Sequence, residues 1–318
     1  MEKIISPVPA DDILKELTEE RFVRKTNFGN NELYIVTAHN APHTMTEIGR
    51  LRELAFREAG GGTGKSIDID DFDTRSKHFF EQLIVWDPVA KEILGGYRFL
   101  NCKGLPLNNA GQVDTPTSEL FYYTNKFITD YLPYTIELGR SFVQPKHQST
   151  GDTRKSLYTL DNLWDGLGSL WCKYPETKYY FGKVTMYPQY NPMLRDMILY
   201  FMKKYFPDYD NLVYPYPSKE LHIKTSKLIM ELRLVGLNYQ NNHRILSKFV
   251  REHGATIPPL VNAYMNLSPT MKTFGTAINE SFGNVEETGI LITIEDIYME
   301  KIERHLIYDK TEKPSHLK

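Results

Sequence analysis

The chain has 318 residues, which is enough for one large domain or two small ones. Its 38 basic and 40 acidic residues give a formal net charge of −2, so no global charge draws the protein to nucleic acid or to an anionic membrane. Two widely separated cysteines, Cys102 and Cys172, favour buried thiols in a reducing cytosol over a disulfide framework.

The N-terminal region, residues 1–30, is charged, is interrupted by Pro7 and Pro9, and carries one short amphipathic segment over residues 13–22. We predict an N-terminal arm here. The region lacks the basic and apolar parts of a signal peptide, and the apolar stretches of the chain are too short to span a bilayer. We therefore expect a cytoplasmic protein and leave open a peripheral location at the inner face of the membrane.

A strand is predicted over residues 32–36 and a helix after it. Thr44 and Glu47 form a capping-box pattern, and apolar residues then recur at helical spacing until the glycines at 60–62. Arg52 lies at the edge of the apolar stripe of this helix. A guanidinium at such a position needs a carboxylate partner.

An acidic loop with four aspartates between residues 68 and 73 follows the helix. Beyond it the pattern predicts strands at 79–86 and 93–100 joined as a hairpin, a polar loop at 103–118, a helical segment at 121–131, a strand at 135–143, a helix at 156–171 and a strand at 179–186. Strands and helices in mixed order, without internal repeats, are typical of an α+β domain.

From residue 191 the pattern is mainly helical. We predict helices at 193–205, 228–235 and 260–267, with one strand at 289–295. The predicted organisation is an arm (1–30), a core (31–190) and a helical extension (191–318) that completes the same domain.

Three short motifs point to other chemistries. Residues 59–66 match a loose phosphate-loop pattern, but a helix precedes the glycines and an acidic loop follows them, so we expect a flexible loop near the substrate and not a nucleotide site. His147 and Asp152 have the spacing of glycerolipid acyltransferases, which a surface loop produces equally well. His39 and His43 flank Pro42, so no metal site is predicted, and no G-x-S-x-G nucleophile elbow occurs.

Six charged residues stand beside strongly apolar neighbours, so several must be buried and paired with one another. They are Arg52, Asp70, Asp73, Arg98, Glu137 and Arg140. A purely structural ion network is one interpretation. The other is an active site: a bulge at Gly139 would bring Glu137 and Arg140 into one cleft and free a backbone N–H for a thioester oxyanion.

Four ordered sequence blocks resemble a known family. They are LRELAFR (51–57), DDFD (70–73), LGGYRFL (94–100) and ELGRSFV (137–143). They resemble the GNAT branch that contains the acyl-homoserine-lactone synthases. Three further blocks are LWDG (163–166), YFGKV (180–184) and IPPLVNAY (257–264). With these, the chain looks closer to the ornithine-lipid and glycine-lipid N-acyltransferases, often labelled haemolysin-like, over residues 32–296.

The resemblance implies an α+β GNAT fold with a mixed central sheet of splayed strands, flanked by helices, and a helical C-terminal elaboration. It implies that acyl carrier protein, through its 4′-phosphopantetheine thioester, or else acyl-CoA, is the co-substrate, with no bound cofactor. The family's phosphate cradle corresponds to residues 148–153, with Gln148 and Gly151. Here an aspartate intrudes and Thr153 replaces a small residue, so the single phosphate of a carrier protein fits better than coenzyme A.

The resemblance also implies that the six charged residues are site residues of the family. From the chemistry of acyl transfer, Glu137 would be the base that deprotonates the amino substrate, or its relay, with Arg98 and Arg140 holding Glu137 and the substrate carboxylate. Backbone N–H groups between Gly139 and Ser141 would bind the oxyanion. Arg52 with Asp70 or Asp73 would order the acidic loop. Five lysines form a candidate landing surface for the acidic carrier: Lys203, Lys204, Lys219, Lys224 and Lys227.

The expected reaction is N-acylation of a small amino acid by a 3-hydroxy fatty acyl group, with glycine as first acceptor and ornithine as second. The product would be a lipid, so transient membrane contact is expected, and no nucleic-acid partner. The alternatives are a signal synthase of the acyl-homoserine-lactone type and an acyl-CoA-dependent enzyme acting on another amine or hydroxyl. A membrane-lytic toxin is a further class, but no strongly amphipathic basic segment supports it.

Overall fold

The computed structural model describes residues 1–148, 153–306 and 313–317. The helices are α1 (Ala10–Glu16), α2 (Pro42–Glu58), α3 (Asp71–Thr74), α4 (Thr153–Lys173), α5 (Pro192–Tyr205), α6 (Lys227–Arg233), α7 (Tyr239–Glu252), α8 (Pro259–Met265) and α9 (Met299–Leu306). The strands are β1 (Phe22–Lys25), β2 (Glu32–Val36), β3 (Glu81–Asp87), β4 (Glu92–Asn101), β5 (Phe121–Tyr123), β6 (Thr135–Val143), β7 (Tyr179–Met186), β8 (Val213–Pro215), β9 (Lys272–Asn279) and β10 (Val285–Thr293). Within the described ranges, no helix is both long enough and apolar enough to cross a membrane.

The chain divides into two compact units. The first unit consists of Met1–Leu105, Tyr134–Thr177 and Met299–Lys318, and the second unit of Pro106–Pro133 and Lys178–Tyr298. In the first unit the strands pair antiparallel in the order β1-β2-β3-β4-β6. The turn between β3 and β4 is closed by Asp87, whose carboxylate accepts hydrogen bonds from the backbone N–H groups of Val89 (2.8 Å) and Ala90 (2.9 Å).

The two faces of this sheet are covered by different helices. Gln82 pairs with Arg98 across β3 and β4, and Leu83 pairs with Tyr97, so the two pairs lie on opposite faces. Arg52 of α2 binds Gln82, which places α2 on the first face. A Cβ at Gly166 of α4 would lie 2.6 Å from the Leu83 side chain, so α4 packs closely on the second face at this glycine.

The second unit has its own strands and an aromatic core. β7, β10 and β9 pair antiparallel, and β5 pairs with β8. The rings of Tyr123, Phe127, Phe181 and Phe274 are packed with centroid distances from 5.1 to 6.5 Å. Aromatic side chains bury a large apolar area, so part of the high aromatic content of the chain fills this core.

Most predicted elements of the first unit are confirmed, including the strands at 32–36 and 135–143 and the hairpin across Asp87 and Pro88. Three predictions need correction. The predicted arm contributes β1 to the sheet, the segment 121–131 contains a strand and a π-helical turn, and the region from 191 contains β8 and β9 besides its helices. The strand predicted at 289–295 is confirmed as β10. The splay predicted between central strands stays a prediction.

Candidate active site

The acidic loop lies against α2 because α2 carries a glycine at the contact. A Cβ at Gly49 would lie 2.6 Å from Ile69 and 2.7 Å from Ile67, so a larger residue would displace the loop. The backbone N–H of Asp68 donates to the carbonyl of Gly49 (3.1 Å). This contact positions the loop aspartates beside the buried Arg52.

Arg52, Asp73, Gln82 and Arg98 form one buried polar network. The carboxylate of Asp73 lies 3.1 Å from Arg52 Nη1 and 3.2 Å from Arg98 Nη1. Gln82 Nε2 donates to Asp73 (2.9 Å), and Arg52 Nη2 donates to Gln82 Oε1. Buried charges are tolerated when each has such partners, so these four side chains hold the loop, α2, β3 and β4 together.

The charges of this network stabilise one another. Burial by itself disfavours the ionised carboxyl of Asp73, but Arg52 and Arg98 outweigh it and lower the pKa of Asp73 to about 2. Burial also opposes the charge of Arg98, yet Asp73 and Asp70 raise the pKa of its guanidinium. At neutral pH the network therefore contains two cations and one buried anion.

The lowered pKa of Asp73 predicts that the free energy of unfolding decreases at acid pH. Because the pKa is about 2 in the native state and 3.8 as its reference, this stabilisation is complete above pH 3.8 and is lost as the pH falls towards 2. We expect the difference in unfolding free energy between the wild type and Asp73→Asn to shrink by about 2 kcal/mol across that window. Urea unfolding at a series of pH values measures it; a constant difference would contradict the ion pairing.

Arg98 connects the buried network to a more accessible edge. Its Nη1 lies 2.7 Å from the carboxylate of Asp70, and its guanidinium stacks over the ring of Phe80 at 4.9 Å. The side chain of Asp70 is 32% exposed, whereas that of Asp73 is fully buried. The ion pairs of Arg98 are thus with the acidic loop.

A bulge in β6 turns Arg140 towards the same loop. Gly96 pairs with Phe142 and Arg98 with Gly139, so Arg140 and Ser141 together lie opposite the single residue Tyr97. Arg140 has a φ of +51°, in the left-handed region. Its Nε lies 2.9 Å from Asp68 and its Nη2 3.9 Å from Asp70. The bulge was predicted at Gly139; the structure has it one residue later, because Gly139 remains in the ladder.

Glu137 lies on the face of the sheet that carries Arg98. Glu137 pairs with Leu100 and Gly139 with Arg98, so Glu137 and Arg98 are diagonal neighbours on one face. The Glu137 side chain is buried. Burial, and after it the charge of Glu137, raises the pKa of the nearby Cys102 thiol, which stays protonated. A carboxylate, two guanidinium groups and a β-bulge thus lie in one region of the first unit.

The predicted phosphate cradle is described only in part. Gln148 Nε2 donates to the carbonyl of Val143 (2.6 Å), which ties this side chain to the end of β6. Gly151 and Asp152 lie outside the described residues. The helix expected after the cradle is present as α4. His147 contacts Glu92 (3.0 Å).

The glycine-rich loop at 60–66 is held by a carboxylate of its own chain. Glu53 accepts hydrogen bonds from the backbone N–H groups of Thr63 (3.0 Å) and Gly64 (2.8 Å) and from the Thr63 hydroxyl (2.7 Å). A phosphate loop needs such N–H groups for its ligand. Glu53 occupies them, which agrees with the sequence argument against a nucleotide, but the loop is tied down where we expected flexibility.

Sequence reasoning missed two members of the cluster. Asp68 was seen only as part of an acidic loop, yet it is buried and pairs with Arg140. Gln82 was not considered, although it bridges Arg52 and Asp73. The signal for it was its place beside the apolar run of β3, opposite Arg98 in the hairpin.

Residues 51–156 match the acetyltransferase (GNAT) domain family. The chain is 53% identical to a glycine N(α)-acyltransferase of Bacteroides thetaiotaomicron, over 96% of this chain and 90% of that protein. It is 50% identical to a glycine N(α)-acyltransferase of Phocaeicola vulgatus, over 96% and 93%. Among solved structures, the acyl-homoserine-lactone synthase LasI aligns with a TM-score of 0.32 at 16% identity, over 48% of this chain and 71% of that one.

A sequence identity of 53% over 96% of this chain shows the family to which it belongs. The GNAT domain match also covers every charged residue of the site described above. The GNAT fold predicted from the sequence blocks is confirmed. This chain is an acyltransferase with a GNAT fold and belongs to the family of these two N(α)-acyltransferases.

Proposed function

We propose that this enzyme transfers a 3-hydroxy fatty acyl group from acyl carrier protein to the α-amino group of glycine, in the biosynthesis of a glycine lipid. The observation that carries the acceptor is the identity to two glycine N(α)-acyltransferases over 96% of the chain. The resemblance of the sequence blocks to the haemolysin-like aminolipid N-acyltransferases supports the donor and the pathway class.

In this proposal Glu137 accepts the proton that the glycine ammonium group loses, directly or through one water. The free amine then attacks the thioester carbonyl carbon, and a C–N bond forms. The attacking nitrogen loses its second proton, the C–S bond breaks as the tetrahedral intermediate collapses, and the carrier leaves as a thiolate that takes up this proton. Backbone N–H groups at the bulge of Arg140 and Ser141 stabilise the oxyanion.

The two arginines take different parts. The side chain of Arg140 is 17% exposed, so it is the one that meets the glycine carboxylate, as a bidentate donor. Arg98 is buried and engaged by Asp70 and Asp73, so it is a positioning residue for the loop and for Glu137. Arg52 with Asp73 orders the loop from the α2 side.

The donor is held through its phosphopantetheine arm, with Gln148 and Gly151 at the cradle before α4. Acyl-CoA is the alternative donor. Because a glycine with a long N-acyl chain is amphiphilic, the product enters a membrane, and the enzyme is cytoplasmic with peripheral membrane contact.

The reaction is tested by mixing the purified protein with 3-hydroxyacyl-carrier protein and measuring the release of free carrier thiol. We expect thiol release with glycine, little with ornithine and none without an amine, and N-acylglycine by mass spectrometry. The matched control replaces the carrier thioester by the coenzyme A thioester of the same acid. Release with coenzyme A alone would overturn the donor, and release with ornithine alone would overturn the acceptor.

A further inference from the structure

Five large apolar side chains lie exposed in one short stretch of the second unit. Leu228 is 62% exposed, Ile229 51%, Leu232 66%, Val235 69% and Leu237 99%. Single exposed apolar residues are common, but a contiguous group of them marks a binding surface. We call these five residues the α6 patch.

Three residues of the patch lie on α6, whose inner side is anchored, and Val235 and Leu237 follow directly after the helix. Met230 and Leu234 are buried. At about 100° per residue, Leu228 and Leu232 lie on the helix face opposite Met230, and Ile229 lies on the flank of the helix. Met230 and Leu234 therefore form the core-facing side of this segment, and the exposed leucines do not contribute to it.

Both ends of the segment are fixed by buried polar groups. The carboxylate of Asp196 accepts hydrogen bonds from the backbone N–H groups of Lys224 (3.1 Å) and Thr225 (2.8 Å). At the other end Asn242 accepts from the backbone N–H of Gly236 (2.7 Å) and donates to its carbonyl (3.0 Å). The patch is thus presented on an anchored scaffold.

The charges around the patch are mainly positive. Residues 222–238 contain three cations, Lys224, Lys227 and Arg233, and one acidic residue, Glu231. Lys204 of α5 donates to the carbonyl of Leu234 (3.1 Å), which adds a fourth cation beside the segment. The whole chain has a formal net charge of −2, so this excess of cations is a property of the segment and not of the chain as a whole.

We propose that the α6 patch docks on an anionic lipid bilayer, with the apolar side chains among the acyl chains and the lysines at the head groups. Protruding apolar residues flanked by cations are the pattern of an interfacial helix, and anionic lipid attracts the basic residues.

A second copy of the chain fits this surface poorly, because a two-fold contact would place the same cations opposite one another. An acidic carrier would match the lysines but not five protruding apolar side chains. The inference deepens the membrane part of the proposed function, yet it rests on this surface and not on the reaction.

Flotation of the full chain with vesicles tests the proposal. We expect binding to vesicles of phosphatidylcholine with phosphatidylglycerol and weaker binding to phosphatidylcholine alone. Leu232→Ser combined with Leu237→Ser should reduce the partition coefficient about tenfold or more. Lys224→Glu with Lys227→Glu should remove the preference for anionic lipid. The matched control is Val89→Ser, since Val89 is 92% exposed but lies in the β3–β4 turn, outside the patch; it should bind as the wild type does.

Two results would overturn the proposal outright: a wild-type protein that stays in solution, or a leucine variant that floats like the wild type. A leucine variant that raises the KM for carrier protein, without vesicles present, would assign the patch to the carrier. Loss of a dimer in sedimentation velocity would assign it to a second copy. Thiol release is measured separately, so failure of the reaction with intact vesicle binding would overturn the proposed function and leave the docking surface.

Discussion

Glu137→Gln is expected to lower kcat for acyl transfer to glycine by about 10²- to 10⁴-fold, the usual contribution of a positioned general base. Glutamine keeps the size and shape of the side chain but cannot accept the proton of the glycine ammonium group. The KM for the acyl donor should change little, because the donor thioester does not depend on this proton. Steady-state release of carrier thiol gives both constants.

The pH profile distinguishes a base from a merely structural carboxylate. In the wild type the rate of acyl transfer should fall at acid pH, where the base takes up a proton. In Glu137→Gln this decrease of the rate at acid pH should be absent. Glu81→Gln is the matched control, because Glu81 is also on the sheet of the first unit and is paired with Lys173 (3.4 Å). A Glu137→Gln protein with the full rate would remove the base from the mechanism.

Arg52→Met is expected to lower the free energy of unfolding by about 3–5 kcal/mol, the usual effect of removing one partner from a buried ion pair. Methionine retains much of the apolar stem, so the loss comes from the charge. Asp73 would keep only Arg98 as a cationic partner, and Gln82 Oε1 would lose its donor. Urea unfolding followed by circular dichroism measures this loss.

Lys15→Met is the control for the arginine variant, since Lys15 pairs with Asp12 on the exposed surface of α1. An exposed ion pair contributes little to stability, so no measurable change is expected. If Arg52→Met unfolded at the same urea concentration as the wild type, the network would not hold the acidic loop, and its role in positioning Arg98 would fall with it.

Local pattern was enough to predict the elements that carry the site. The 3.6-residue period of α2 ends at glycines, and the apolar runs of β3 and β4 flank a clear turn, so these elements and the hairpin were readable without a structure. Charged residues beside apolar neighbours predicted buried pairing of Arg52, Asp73 and Arg98, which the structure confirms. The ordered blocks predicted the GNAT fold and the N-acyltransferase family.

Other features depend on contacts between distant residues. The segment at 121–123 forms a strand because β8 pairs with it, about ninety residues later, and β1 joins the sheet by pairing with β2. Local propensity is a weak guide where such pairing decides the conformation. The bridge that Gln82 makes between Arg52 and Asp73 likewise depends on the packing of α2 over β3.

The amino-acid sequence by itself determined the family, the acyl-transfer chemistry and most of the charged residues of the cluster, because these depend on residue identity in ordered blocks. Only the tertiary structure decided which charges meet. It pairs Arg140 with Asp68 through a bulge one residue beyond Gly139. It places the Glu53 carboxylate on the backbone N–H groups of the glycine-rich loop, and it exposes the leucines of α6 to solvent. These outcomes arise from register, backbone conformation and packing between elements, which no local pattern of residues encodes.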